Sequence, residues 1–549
     1  MLDTLDLTSI PDERSRDLVR QLLNLIETLS SELRAAQAEN QHLRDEINRL
    51  KGEHAKPTIK GKTSKPSSSD HSSERERRQP VERRKRSKRD FILIDREQTL
   101  TLDRASLPPD ALFKGYVDVI VQDIALRTDN VCFHKEKYYA PSTAQTYLAP
   151  LPPGYSGEFG PGLKALTQVF YTACQMSEPK ILEFFEHVGI HISHGTISNL
   201  LIKDQHAFHA EKDAVYLAGL RSSPWQHIDD TATRVNGQNQ HCHIVCNPLY
   251  TIYHTTAAKD RMTVLDVLRN GQPRSFRLDD DALAYLDAVG IAAKRRKQLE
   301  HLPRDQMLDE ASVMGLLDEH LPGVGAQTRK RILEALAVSA YHAQTEVPVV
   351  RVLVCDDAPQ FTWLTDEMAL CWVHAGRHFK KLLPSVALHQ EYLEQFQSKF
   401  WAYYHELRQY QEQPSEEERV RLEADFDEVF ATRTGYWALD ERIMMTGLKK
   451  AQLLMMLRHP EVPLHNNAAE LGARQRVRKR DVSLGPRTAD GSKAWDTFMS
   501  LAATTKKLGV SFYRYMHDRI SEANEVPWLA VLIDEQAQGL SLGSSWNRA

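Results

Sequence analysis

Three short blocks carry acids where folding alone gives them little reason to be. In PWQHIDDTATRV, Asp229 and Asp230 sit inside an alternation of apolar and β-branched residues. The alternation continues in HCHIVCNPLYTIYHTT, the pattern of neighbouring antiparallel strands. In VPVVRVLVCDDA an apolar run, of the kind a strand buried on both faces needs, ends at Asp356 and Asp357. In PLHNNAAELGARQRVRKRD a helix start is followed one turn later by Glu470, with Arg474, Arg476, Arg478, Lys479 and Arg480 behind it. Each acid alone has an ordinary reading, since Asp at strand ends and Glu in a first helical turn serve solvation and capping. Together they match what phosphoryl transfer on DNA requires. One cation activates the attacking oxygen and a second stabilises the leaving oxygen, roughly 3.5–4 Å away. Hard Mg²⁺ calls for carboxylate oxygens, and the flanking cations would meet phosphates.

The rest of the chain has to position these groups. At 549 residues it exceeds the usual size of one core, so several folded units are expected. Its 41% hydrophobic and 26% charged residues are ordinary for a globular protein, and the net charge of −4 leaves DNA binding to local clusters of Lys and Arg. The six cysteines include no CxxC pair, which predicts reduced thiols. HCHIVC brings Cys242 and Cys246 near His241 and His243, yet strand alternation sends them to opposite faces, so no zinc site is expected. The N-terminus lacks the basic and apolar pattern of a leader, and no apolar run approaches membrane-spanning length. A cytoplasmic protein, bacterial and nucleoid-associated, is expected.

Residues 1–51 are read as a coiled-coil helix. Val19, Ile26, Leu33, Asn40 and Ile47 form one heptad series, and Leu22, Leu29, Ala36, Leu43 and Leu50 form the other. Branched residues at a, Leu at d and one Asn at a favour a parallel two-stranded coil, hence a homodimer or higher oligomer. The competing reading is an amphipathic helix packed on its own core. Residues 52–90 are a flexible linker ending in a basic run. Between Arg75 and Arg89 there are nine Lys/Arg against two acids, and Arg83, Arg84, Lys85 and Arg86 are candidate phosphate contacts. A solvated spacer would look the same.

Residues 91–160 form a small mixed region. In 161–205 three helical pieces end in a pair resembling a helix-turn-helix: Gly189 stops one helix and Ser193 caps the next. His194, Thr196, Ser198 and Asn199 are then placed where a recognition helix reads bases, with Thr196 and Asn199 the chosen contacts. Residues from about 272 to 346 read as inserted helices. Their LPGVGAQTRKRILEAL is similar to a helix-hairpin-helix, with Gly323 and Gly325 facing a phosphate, although a plain helical hairpin fits equally. In CWVHAGRHFKKLLP, Cys371 and Trp372 are read as strand core, His374 as an active-site contact, and Arg377, Lys380 and Lys381 as a DNA-facing surface. Two ligands in CxxH do not close a zinc site.

The acid blocks also resemble the transposases of the insertion-sequence family numbered sixty-six. The resemblance rests on HIDDT, on LVCDDAPQF with CWVHAGRHFKKLLP, and on NNAAELGARQRVRKRD followed by SLAATTKKLGVSFYRYM. Upstream it takes in KYYAPSTAQTYLAPLPPG and the helices to Asp204, so that it covers most of Asn130 to Ile520 apart from one insertion. It implies an α/β fold: a ribonuclease-H-like mixed sheet flanked by helices, at 220–520, with an all-α insertion at about 385–463, to which this chain adds the inserted helices at about 272–346. The N-terminal coiled coil precedes this core, and 521–549 is left as a C-terminal tail. It implies a DDE-type enzyme in which Asp229, Asp356 and Glu470 are catalytic and hold two Mg²⁺ ions, Mn²⁺ substituting, with Asp230 and Asp357 as fallback ligands. Its substrates would be double-stranded DNA, the ends of an insertion sequence and a target, and its partners small accessory proteins.

Two departures stand out. The Cys-rich zinc segment common in that family is missing, since no Cys precedes Cys132. The gap between Asp229 and Asp356 is also wider than a strand-strand-helix-strand connection needs. Two competing readings are a non-catalytic DNA-binding regulator derived from such an enzyme and a structure-specific nuclease.

Overall fold

The computed structural model describes Leu7 and residues 10–51, 92–103, 107–108 and 111–546. Arg83, Arg84, Lys85 and Arg86 lie outside the described residues. A hairpin of β1 (Lys137–Ala140) and β2 (Gln145–Leu148) precedes the main sheet. That sheet contains β3 (Trp225–Val235), β4 (Gln238–Cys246) and β5 (Thr251–Thr256). After a short ladder of β6 (Ser275–Phe276) and β7 (Leu308–Asp309), it is completed by β8 (Val352–Cys355) and β9 (Glu367–Leu370). The five-stranded order is β5-β4-β3-β8-β9, with β3, β4 and β5 antiparallel and β3, β8 and β9 parallel.

Local chemistry explains the meander. Between β3 and β4 only Asn236 and Gly237 intervene, at φ 50° and 75°, the left-handed pair that a tight two-residue hairpin demands. The β5 edge is covered rather than left open. Helix Ala489–Lys507 presents Asp496, Ser500 and Thr504, one turn apart, to the strand. They accept from Thr255 N at 2.7 Å, Tyr253 N at 2.9 Å and Thr251 N at 3.2 Å, so the edge donors are paired without another strand.

The sheet is packed on both faces. On one, Cys242, Ile244, Cys246 and Tyr253 meet Ala469 and Ala473 of helix Asn467–Ser483. On the other, Ile228, Val245 and Leu353 share a core with Val264 and Leu265 of helix Arg261–Leu268 and Leu336 and Tyr341 of helix Ala326–Ala343. That last helix belongs to the inserted stretch, so the insertion is helical but not a module apart: its end is built into the core. The same core continues beyond β9 as an aromatic cluster, where Trp372 packs on Phe400, Tyr403, Tyr404 and Phe426 from helices Ala387–Glu412 and Glu416–Phe430.

Helices Glu178–His187 and His194–Ile202 form a small core of their own with Ile181, Phe185, Ile197 and Leu201. Gly189 between them has φ 77°, and Ser193 Oγ accepts from Thr196 N at 3.1 Å. The C-terminal stretch 521–549 contributes a helix of its own. Helix Leu529–Gln538 buries Leu529 and Ile533, and Leu529 N donates to Glu211 at 3.3 Å on helix His206–Arg221. No described helix is long and apolar enough to cross a membrane.

Candidate active site

Strand register brings the first two acids together. β3 and β8 are parallel with His227 beside Val354, and carrying that register two residues further sets Asp356 beside Asp229. Adjacent strands lie about 4.8 Å apart. Alternation then separates each acid from its neighbour in sequence. Asp229 pairs across β4 with Ile244, and Ile244 packs on the helix that carries Glu470. Asp230 pairs with His243 and faces the other way, where Lys259 Nζ lies at 3.3 Å and Gln360 Nε2 donates to it at 3.1 Å. Asp357 is ion-paired with Lys449. Asp229 and Asp356 are therefore neighbours on the side of the sheet that the Glu470 helix covers, while Asp230 and Asp357 are taken up by cations.

The nearness of these acids is felt most at Asp229. Burial, and then the negative charges of Asp356, Glu470 and Asp230, push the Asp229 carboxyl up to about 7. Burial also raises Asp356, with His374 beside it pulling the other way. His374 itself is lowered by burial and held up by Asp356. Glu470 is engaged by Arg377, whose Nη2 donates to it at 2.8 Å, and has Arg474 at 3.8 Å. Among the described residues, no three His, Cys, Asp or Glu side chains already stand together as a cage for a metal. The donor set nonetheless suits a hard divalent cation: oxygen only, with a mutual repulsion that such a cation would relieve.

One residue holds the arrangement together that its type alone did not single out. Asn466, just ahead of the Glu470 helix, is buried. Its Nδ2 donates to Ile228 O at 2.6 Å, its Oδ1 lies 2.9 Å from His227 Nδ1, and its N–H donates to Cys371 Sγ at 3.2 Å. Because the amide nitrogen is already donating, Oδ1 must accept, which puts the proton of His227 on Nδ1. Burial lowers His227 to about 3, so the ring stays neutral. Asn466 thus ties the Glu470 helix to the strand of Asp229 and to the residue after β9. Its signal in sequence was position: it opens the NNAAE block, as His227 opens HIDDT.

The expected DNA-contact residues divide. Thr196 is half-buried and Asn199 exposed on helix His194–Ile202, and Lys380 and Lys381 are exposed at the end of helix Trp372–Lys380. Arg474 and Arg478 are exposed and Arg480 half-buried on the Glu470 helix. Arg377 points inward to Glu470. Lys479 departs from expectation. It is 1% exposed, its Nζ donates to Tyr171 O at 2.6 Å, and it lies 3.2 Å from the centre of the Tyr171 ring. Burial draws its pKa down to about 7. Arg476, 0% exposed, is 3.1 Å from Asp496. A helix buried on one face hides every third or fourth cation, so the basic run is not one DNA-facing stripe. A narrow cavity of about 30 Å³ beside the acids is lined by Asp357, His374, His378, Arg442 and Lys449.

These features define a mixed α/β protein with a five-stranded mixed sheet covered by helices on both faces. Residues 339–494, which include Asp356 and Glu470, match the model of the Transposase IS66 family. Over 329 residues, 58% of this chain and 99% of the other, the sequence is 32% identical to Uncharacterized protein y4jO of Sinorhizobium fredii (strain NBRC 101917 / NGR234). The chain belongs to the IS66 transposase family. No solved structure matches it.

Proposed function

We propose that this protein is a DDE-type transposase that cuts DNA at the ends of its own insertion sequence and joins the ends to a target. The observation that carries this reading is the placing of Asp356 beside Asp229 with Glu470 on the helix that covers them, where burial first, and then the charges of Asp356 and Glu470, push the Asp229 carboxyl up to about 7. The order of the sheet, an antiparallel meander continued by two parallel strands with the acids on the central pair, supports a ribonuclease-H-like core.

Asp229, Asp356 and Glu470 would hold two Mg²⁺ ions, Mn²⁺ substituting, after Glu470 turns from Arg377. When bound, the ions supply charge for the attacking and leaving oxygens of phosphoryl transfer. The chain's own residues do the rest. Asn466 fixes the helix of Glu470 against the strand of Asp229, which keeps the acids in one place. Arg377, released from Glu470, is positioned to meet a phosphate, and exposed Arg474, Arg478, Lys380 and Lys381 extend the cationic surface. The N-terminal helix pairs two subunits, one for each element end.

The test separates binding from chemistry. Asp356→Asn should lower cleavage of an element-end duplex in Mg²⁺ at least ~10³-fold while end binding stays within a few-fold. Undiminished cleavage by this variant would rule the assignment out.

A further inference from the structure

Among the described residues, helix Glu13–Leu50 meets the rest of the chain mainly in its first half, where Val19, Ile26 and Ser30 are half-buried. Leu23 and Asn24 are buried there. Asn24 Nδ2 donates to Gly435 O at 2.8 Å, and Asn24 Oδ1 accepts from Trp437 N at 2.9 Å, bracketing the start of helix Trp437–Gly447. Glu27 accepts from the backbone N–H of Ser385 at 2.8 Å and of Val386 at 2.7 Å, with His389 Nδ1 at 3.3 Å. A carboxylate remote in sequence therefore caps helix Ala387–Glu412, where unpaired N–H groups and the helix dipole favour a negative charge. Arg34 adds bonds to Leu383 O at 2.8 Å and Ser385 Oγ at 2.7 Å.

In the heptad that places Val19 at a and Leu22 at d, these contacts use position f (Asn24) and position b (Glu27 and Arg34). Those positions lie on the side opposite the seam. Near its N-terminus the seam is partly covered by the chain itself, Val19 and Ile26 being half-buried and Leu23 at e buried, but Leu22, Leu29, Leu33 and Leu43 are 50%, 56%, 60% and 52% exposed. It runs about 47 Å from Val19 to Leu50 at ~1.5 Å per residue. A second copy of this helix is the partner that its chemistry fits. Parallel alignment sets Glu39 at g against Arg44 at e of the second copy, Glu46 against Lys51, and Asn40 against Asn40, each an attractive or hydrogen-bonding match.

We propose that this helix is a two-faced strut: its outer face is clamped to the chain's own helices near 385 and 436, while its seam zips in parallel to a second copy. Pairing then fixes the spacing of two whole bodies instead of tethering them by a loose arm. This deepens the subunit pairing proposed above and does not depend on the catalytic reading. The clamped end also reaches the acids through one helix. Helix Ala387–Glu412 packs Trp401 on Gly376, where an added Cβ would lie 2.5 Å from the indole, and Gly376 adjoins Arg377, the residue bonded to Glu470.

The test uses the full chain, with light-scattering mass and amide hydrogen exchange as two readouts. Leu29→Lys with Leu33→Lys, both on exposed seam positions, should halve the mass and leave exchange at Ser385, Val386 and Trp437 unchanged. Asn24→Ala with Glu27→Ala should keep the dimer mass and speed exchange at those amides about tenfold or more. A monomeric wild-type protein at micromolar concentration, a seam variant that stays dimeric, or a clamp variant with unchanged exchange would overturn the proposal. Neither readout involves DNA cleavage, so loss of the catalytic reading would leave this result standing, and the reverse.

Discussion

At the scale of single residues, the acids explain both the proposed chemistry and a cost in stability. With no cation bound, Asp229 is pushed from an ordinary 3.8 to about 7, so between those values the folded carboxyl keeps a proton that the unfolded chain gives up. Stability must then fall as pH rises through that window and level off above it. The gap corresponds to at most ~4 kcal/mol. Asp229→Asn should flatten this slope and raise the melting temperature at pH 8, measured in chelator; melts that track the wild type across pH would show that Asp229 is not under this strain. Asn466→Ala should cost ~2–3 kcal/mol by stranding His227 and the Ile228 carbonyl, and should also lower cleavage at least ~10²-fold. Cleavage that drops only in proportion to unfolded protein would reduce Asn466 to a structural role. The sequence made the acids legible because a carboxylate inside an apolar strand is conspicuous. It could not choose between Asp229 and Asp230, since a one-residue shift reverses faces and only the register with β4 and β8 decides. Asn466 was hidden for another reason: an Asn ahead of a helix is routine, and its three partners come from distant segments.

Elements account for where the expectations held and where they failed. Helix, strand and turn chemistry was readable locally, as at Gly189 and Ser193, because caps and left-handed positions depend on a few adjacent residues. The basic run after Glu470 was not readable in this way, because which cations face solvent depends on the sheet packed beneath the helix. Lys479→Met should therefore leave affinity for element-end DNA within about twofold, whereas Arg478→Ala should weaken it severalfold and reduce its salt dependence. A gel-shift titration at two salt concentrations distinguishes them, and equal losses would return Lys479 to the DNA surface. The covered edge of β5 makes a second element-scale claim. Ser500→Ala leaves the Tyr253 N–H unpaired and should destabilise by ~1–3 kcal/mol in denaturant melts; a neutral effect would mean the edge is paired by other means.

Across the whole molecule, a mixed sheet places Asp229 on its central strand and Asp356 just past the end of the next, one covering helix carries Glu470, and the helices beyond β9 pack on the same core. The inserted helices reach into the core through helix Ala326–Ala343, which periodicity alone could not reveal. The N-terminal helix was legible as a heptad. Its polar outer face was not legible as a docking surface, because Asn24 and Glu27 look like ordinary solvated positions until their partners are seen. The central claim concerns the acid that joins sheet and helix. The most direct measurement is cleavage and strand transfer in Mg²⁺ by Glu470→Gln beside the wild type, on pre-cut and intact element ends, with end binding recorded in parallel. The expected result is loss of both reactions by at least ~10³-fold with binding retained within a few-fold. Wild-type cleavage by Glu470→Gln would contradict the three-acid assignment.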